Sequence, residues 1–161
     1  MANDVRLSEP VRLERDRLDS AAGVALAAAH LAEMMLRYGE EDEPDGLEPD
    51  QLALPHGAFL VAWQGVTAVG CGGLRRIDPH VGEIKRMYVA PASRRSGVAR
   101  AILTELEVQA LDLGYERLIL ETGTKQPEAI ALYSSHGYEQ IKPYGVYRDS
   151  PFSRCFAKNL A

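Results

Sequence analysis

The residues with the clearest chemical potential form a short basic segment in the middle of the chain. Arg94-Arg95-Ser96-Gly97-Val98-Ala99 follows an apolar run and precedes a stretch with helical periodicity, so a strand end, a cationic turn and a helix start are adjacent. The first N–H groups of a helix lack partners within it, and the helix dipole adds partial positive charge there. Gly97 would let an anion approach this backbone closely. The segment therefore suits a phosphate or pyrophosphate group.

Two other phosphate-binding loops are excluded by the residues of this segment. A Walker loop requires Gly-Lys followed by Ser or Thr, and a dinucleotide-binding fingerprint requires three spaced glycines and a later acidic residue. The sequence has neither pattern here. The alternative to a ligand site is a solvated basic helix start that binds nothing, and the segment by itself leaves both interpretations open.

The elements on either side of the segment predict a mixed sheet. Upstream, apolar runs at 58–63 and 66–74 are separated by a Gln-Gly pair, and a turn leads to a third run at 83–89, which is typical of an antiparallel meander. Downstream, helical spacing continues from Gly97 and is followed by an apolar strand at 118–122. A strand, a crossover helix and a second strand normally form a right-handed unit with parallel strands.

Four further segments complete the predicted domain. They are an extended segment (11–18), an amphipathic helix capped by Asp19 or Ser20 and ended by Gly39, a helix (127–135) and a last strand (152–160). The acidic stretch 40–46 contains Pro44 and cannot bury apolar surface, so it is predicted to be a solvated loop. Its alternative is a lid that repels anions or attracts cationic acceptors.

Composition limits the class of protein. The chain has 161 residues, 46% of them hydrophobic, which is enough for one core and short for two domains. A formal net charge of −5 gives no global positive field to gather nucleic acid or an anionic membrane. No apolar run approaches the roughly 20 residues that span a bilayer, and the start lacks a signal-peptide pattern, so we expect a cytoplasmic protein. Cys71 and Cys155 are expected to be structural thiols, and the histidines show no metal-site spacing.

Two motifs resemble the GNAT superfamily of N-acetyltransferases. The segment from Arg94 to Ala99 is similar to the family's acyl-CoA loop, Arg/Gln-x-x-Gly-x-Gly/Ala. The segment Ala129-Ile-Ala-Leu-Tyr133-Ser-Ser-His-Gly137-Tyr138 resembles its later helix, in which Leu-Tyr is followed by Gly-Phe or Gly-Tyr. The separation of the motifs also fits the family. The resemblance implies a single α/β domain over residues 1–161, with a mixed twisted sheet, helices on both faces and a splayed pair of parallel strands.

The resemblance also implies where acetyl-CoA would bind, as a co-substrate and without a metal. Its pyrophosphate would lie on the basic loop, and its pantetheine arm in a wedge between the strands at 83–89 and 118–122, paired with the strand backbone as an added strand would be. Many members have an asparagine three residues before the helix alanine, where this chain has Gln126. The implied cofactor-binding residues are Met87, Tyr88, Val89, Arg94, Arg95, Ser96, Gly97, Val98, Ala99, Gln126 and Ala129.

Direct attack of an amine on a thioester needs a neutral amine, a polarised carbonyl and a proton for the leaving thiolate. The resemblance places Tyr133 beside the sulfur and implies that it is the acid; ordinary packing of a half-buried tyrosine is the alternative. Glu83 is the candidate base, because some members carry a glutamate early in the cleft strand. Alternation would put Glu83 on one strand face with Lys85 and Met87, so a Glu83–Lys85 pair is the alternative.

The acceptor is expected to be a small amine, with a protein amine as the second choice. Arg75, Lys85 and Arg86 bring cations to the predicted cleft mouth that could hold an acceptor's carboxylate; solvated edge charges are the alternative. An aromatic turn at 143–147 could line the acceptor pocket, contact a second copy in a homodimer, or simply pack. The rival to an enzyme is a non-catalytic module that binds acyl-CoA.

Overall fold

Seven strands form one mixed sheet in the computed structural model, which describes residues 10–39 and 46–160. In chain order they are β1 (Val11–Arg15), β2 (Ala58–Gln64), β3 (Thr67–Arg76), β4 (Val81–Val89), β5 (Arg117–Gly123), β6 (Glu139–Ile141) and β7 (Ser153–Asn159). Their order across the sheet is β1-β2-β3-β4-β5-β7-β6. Within the described residues β4 and β5 pair in parallel, and the other neighbouring strands pair antiparallel.

Helices cover both faces of the sheet. Helix α1 (Ala21–Tyr38) packs on one face through Leu26, while α2 (Val98–Asp112) and α3 (Pro127–Ser135) pack on the other. Short 3-10 helices lie at Pro49–Leu52 and Pro91–Ser93. Each face of the sheet therefore has its own hydrophobic core. No helix in these described parts of the chain is long and apolar enough to cross a membrane.

The predicted α/β fold is confirmed in its main features. The antiparallel meander is β2-β3-β4, the crossover helix is α2, and Ser20 caps α1 by accepting the N–H of Gly23. Strand β6 was not predicted, because its three residues are largely exposed and show no apolar alternation. The extended segment predicted at 11–18 ends earlier, at the end of β1. The N-terminal residues 1–9 and residues 40–45 of the predicted acidic loop lie outside the described residues.

The parallel pair of strands is short. Pairing runs from Val81 opposite Arg117 to Ile84 opposite Leu120. Beyond these residues β4 continues beside β3, and β5 continues beside β7. The two parallel strands therefore part in the middle of the sheet and leave a gap between them.

A bulge in β4 changes which side chains share a face. The β3–β4 register passes from Cys71 opposite Tyr88 to Gly73 opposite Lys85, so β4 carries one extra residue, and Arg86 has a left-handed φ of +59°. The prediction that Glu83, Lys85 and Met87 share one face is therefore wrong. Met87 packs into the core beneath α2, whereas Lys85 lies on the α1 face, opposite Gly73.

Candidate active site

A cleft of about 1690 Å³ opens where β4 and β5 part. Its walls are the second half of β4, the end of β5, the first turn of α2, one side of α1 and most of α3. The predicted site residues that line it are Met87, Tyr88, Val89, Arg94, Arg95, Gly97, Val98, Ala99, Gln126, Ala129 and Tyr133. Two described residues of the predicted set, Ser96 and Glu83, are not among its lining residues. The fold thus brings together two motifs that are about thirty residues apart in the sequence.

The start of α2 has the geometry of an anion site. Gly97 immediately precedes the helix with a φ of +85°, and no side chain caps the helix start. A Cβ added at Gly97 would meet no atom within 4 Å, so the space beside this backbone is open. The hydroxyl of Ser96 donates a hydrogen bond to the carbonyl of Ser93, so it does not occupy the helix start. The first N–H groups of α2 are therefore accessible to a phosphate from the cleft.

Arg94 is held by three neighbouring groups. Its Nε donates to the carbonyl of Val89 at 2.9 Å, and its Nη2 lies 2.6 and 2.8 Å from the two carboxylate oxygens of Glu33 on α1. The guanidinium also lies over the ring of Tyr88, 5.9 Å from its centroid. The arginine that the resemblance places on the pyrophosphate is thus already paired with a carboxylate.

Gln126 lies just before α3. Its Nε2 donates to the hydroxyl of Tyr38 at the end of α1, over 3.2 Å. The ring of Tyr38 packs edge-on against Phe152. Gln126 therefore helps to join α1 to the start of α3, and its predicted contact with the cofactor stays a prediction.

Tyr133 is buried on α3 at the wall of the cleft. Its ring packs edge-on against Tyr138 at 5.8 Å and lies 6.5 Å from Phe156. Burial raises the pKa of Tyr133 above its ordinary value. The phenol therefore stays protonated at neutral pH and can donate a hydrogen bond to a group in the cleft.

Glu83 is almost fully buried, with 2% of its surface exposed. Its Oε1 accepts from Arg75 Nε at 2.7 Å, and its Oε2 accepts from the hydroxyl of Tyr144 at 2.8 Å. Arg75 is thus committed to Glu83 and does not line the cleft, which corrects the prediction that it helps to hold an acceptor's carboxylate. Tyr144 belongs to the aromatic turn between β6 and β7, so Glu83 ties this turn to β4.

Glu121 is a carboxylate of the cleft that the sequence analysis missed. It follows Leu120, the last residue of β5 that pairs with β4, and its side chain is half-buried at the cleft wall. Burial raises the pKa of Glu121, and the charge of Lys85 opposes this shift. A lone acidic residue inside an apolar strand was the available signal, because such a strand rarely carries a charge without a specific reason.

The two cysteines are buried thiols. Burial raises the pKa of Cys71 to about 12, and it also raises the pKa of Cys155. Neither thiol is suited to become a nucleophilic thiolate at neutral pH.

Among residues 10–39 and 46–160, no three His, Cys, Asp or Glu side chains are grouped as metal ligands would be.

Comparison with known sequences assigns the chain to a family. The sequence model of the acetyltransferase (GNAT) family matches residues 27–138, a range that includes both motifs. The chain belongs to the GNAT acetyltransferases and is an acyltransferase enzyme. The family assignment drawn from the two motifs is confirmed.

Individual relatives span most of the chain. The uncharacterized N-acetyltransferase YsnE of Bacillus subtilis is 35% identical and covers 93% of this chain and 100% of its own. An IAA acetyltransferase of Azospirillum brasilense is 40% identical over 71% of this chain and 75% of its own. A structure from Klebsiella pneumoniae, provisionally described as an acyl-CoA N-acyltransferase, has a TM-score of 0.77 at 28% identity and covers 94% of this chain and 98% of its own.

One solved structure of similar fold contains acetyl-CoA. A GNAT family acetyltransferase from Elizabethkingia anophelis was crystallised with acetyl-CoA bound. Its TM-score to this chain is 0.66 at 16% identity, with 92% of this chain and 97% of its own covered. At this identity the likeness concerns the fold.

Proposed function

We propose that this enzyme transfers an acetyl group from acetyl-CoA to the amine of a small molecule by direct attack. The observation that carries the proposal is the cleft itself, which joins an uncapped helix start to a buried tyrosine donor across the gap between two parting strands. The family uses acetyl-CoA, and the fold neighbour with bound acetyl-CoA supports the same co-substrate here. Release of the CoA thiol in the presence of amines tests the reaction directly.

The residues of the cleft fit the parts of acetyl-CoA. The N–H groups after Gly97 suit its pyrophosphate, because they are accessible and carry the positive end of the helix dipole. Beyond Ile84, β4 no longer pairs with β5, so its backbone near Met87 and Val89 can bind the pantetheine amides as an added strand would. Acetyl-CoA supplies the activated acyl group, and the thiol is its leaving group.

Tyr133 is proposed as the donor to the leaving thiolate. It lines the cleft from α3, and its raised pKa keeps the hydroxyl protonated. The buried cysteines, with raised pKa values, argue against an acyl-enzyme intermediate. The amine therefore attacks the thioester directly in this proposal.

Two carboxylates lie near the acceptor side of the cleft. Glu83, the base predicted from the sequence, has one oxygen bonded to Arg75 and the other to Tyr144. Glu121 lines the cleft, and burial raises its pKa towards the range where a carboxylate can accept a proton from an amine. We therefore propose Glu121 as the proton acceptor and give Glu83 the role of anchoring the aromatic turn.

Glu121→Gln should lower kcat/KM about 10²-fold at neutral pH, in keeping with the loss of a general base. A base must be deprotonated to act, so the raised pKa of Glu121 should put the acidic limb of the wild-type pH–rate profile above the ordinary carboxyl value of about 4.3. The variant should lose this limb. The difference in kcat/KM between the variant and the wild type should shrink as the pH approaches the amine's own pKa of about 10.4, because the amine then loses its proton without a base. The pH dependence of kcat/KM is the measurement.

Glu83→Gln is the matched comparison, because it makes the same chemical change on the neighbouring strand. If Glu83 anchors the aromatic turn, the variant should raise the KM of the amine and keep the shape of the wild-type pH–rate profile. Loss of the acidic limb in Glu83→Gln and its retention in Glu121→Gln would restore Glu83 as the base and exclude Glu121.

The acceptor is proposed to be a small amine that carries a carboxylate. Lys85 and Arg86 both line the cleft on the β4 side, where they can attract a carboxylate. Val146 and Tyr147 of the aromatic turn also line it and supply apolar and aromatic contact surface. The relative named IAA acetyltransferase is in keeping with a small-molecule acceptor. A protein amine as the acceptor stays the second choice. The formation of a homodimer and a cytoplasmic location also stay predictions.

A further inference from the structure

Four charged side chains connect the loop at 94–97, called the phosphate loop because the pyrophosphate is proposed to bind there, to α3 by way of α1. Glu33 Oε1 lies 2.6 Å from Arg94 Nη2 and 3.6 Å from Arg37 Nη2, and Arg37 Nη2 lies 2.5 Å from Glu128 Oε1 in the first turn of α3. All four side chains line the cleft. We call this arrangement the ion-pair chain. It ties the loop before α2, where the pyrophosphate is proposed to lie, to the start of the helix that carries Tyr133.

Glu33 is the central member of the ion-pair chain. Both of its oxygens accept from the same Arg94 nitrogen, and it also pairs with Arg37 one helical turn away. The side chains of Glu33 and Arg94 are 21% and 30% exposed, so water screens this pair only in part. A carboxylate so close to the proposed phosphate site would repel phosphate, unless its negative charge is matched by Arg94.

The other contacts of Arg94 indicate a structural role. Its Nε donates to the carbonyl of Val89 at the end of β4, and its guanidinium lies over the ring of Tyr88, which also stacks against the ring of His30 at 5.4 Å. These contacts fix the loop relative to β4 and α1. In the proposed acetyl-CoA site, the α2 N–H groups and Arg95, which lies on the exposed part of the loop, are then left to meet the phosphates.

We propose that Glu33 is a positioning residue for acetyl-CoA. By pairing with Arg94, it holds the phosphate loop in the conformation that binds the pyrophosphate. The inference rests on the proposed acetyl-CoA site. The competing interpretation is that Arg94 is itself a phosphate ligand, in which case Glu33 competes with the phosphates for it. The two interpretations predict opposite changes in affinity when Glu33 loses its charge.

Glu33→Gln should weaken acetyl-CoA binding about tenfold, because the loop loses its charged anchor. The kcat at saturating acetyl-CoA should change little, since the chemistry does not involve this side chain. Titration calorimetry with acetyl-CoA measures the dissociation constant, and initial rates give the split between KM and kcat. If Glu33 instead competes with phosphate, the same variant should bind acetyl-CoA more tightly than the wild type.

Glu14→Gln is the matched control for net charge. Glu14 also pairs with an arginine, Arg12, at 2.7 Å, but on β1 and away from the cleft. The Glu14→Gln variant should bind acetyl-CoA as tightly as the wild type does. Glu33→Asp provides a second variant that keeps the charge and shortens the reach to Arg94. We expect Glu33→Asp to weaken binding as well, because the shorter side chain no longer holds Arg94 in place. Wild-type affinity in Glu33→Asp would contradict the positioning role.

The outcomes separate this inference from the proposed function. A wild-type protein that does not bind acetyl-CoA would overturn both. A wild-type protein that binds acetyl-CoA, together with a Glu33→Gln variant that binds equally well or more tightly, would overturn the positioning role alone. Thermal unfolding of each variant identifies a loss of binding that is due to a loss of fold.

Discussion

Replacing Gly97 with glutamate should abolish acetyl-CoA binding. The φ of +85° at Gly97 is a conformation that other residues adopt only at a cost of about 1–3 kcal/mol. The new carboxylate would also project into the open space beside the α2 start, where the pyrophosphate is proposed to lie, and would repel it. Titration calorimetry with acetyl-CoA should show no heat of binding.

Gly114→Glu is the matched control for this change. Gly114 lies just after the other end of α2, has a φ of +90° and is also surrounded by open space. The control therefore carries similar backbone strain and the same added charge, but far from the proposed phosphate site. Unchanged affinity in Gly97→Glu, or an equal loss in Gly114→Glu, would remove the phosphate site from the α2 start.

Removing the hydroxyl of Tyr133 should have the second largest effect. Tyr133→Phe should lower kcat about 10²-fold and leave the dissociation constant of acetyl-CoA nearly unchanged, because the lost interaction forms mainly in the transition state. The buried ring is retained, so packing against Tyr138 and Phe156 should persist. Steady-state rates give kcat, and a calorimetric titration gives the dissociation constant of acetyl-CoA.

Tyr138→Phe controls for the loss of a hydroxyl from the same aromatic cluster. The hydroxyl of Tyr138 donates to Glu107 at 3.3 Å, and the residue is buried but does not line the cleft. This variant should keep most of the wild-type kcat. If Tyr133→Phe weakens acetyl-CoA binding and leaves kcat intact, Tyr133 is a packing residue.

The parts of the site that could be predicted from the sequence are those specified by local residue patterns. The turn before α2 needs Gly97 for its backbone conformation and lies directly between a strand and a helix, so its place in the fold follows from its immediate neighbours. The motif around Tyr133 is likewise contained in one short helix and its end. Residues of both motifs line the cleft, and their roles in binding and catalysis stay predictions.

The missed parts depend on contacts between distant segments. The bulge at Arg86 shifts the strand register and moves Met87 to the other face, and local alternation gives no sign of it. The partner of Arg94 is Glu33, sixty-one residues earlier in the chain. Glu121 becomes a cleft residue only because β5 leaves β4 after Leu120. Such pairings follow from tertiary packing, which periodicity does not encode.

The most direct test of the central claim is the rate of CoA-thiol release as a function of amine concentration at saturating acetyl-CoA. The proposed reaction predicts that the rate rises and saturates with at least one small amine in a panel that pairs carboxylate-bearing amines with analogues lacking the carboxylate. The acetylated amine should accumulate in equal amount to the thiol. Binding of acetyl-CoA with no amine-dependent release across small amines and peptide amines would contradict acetyl transfer to an amine.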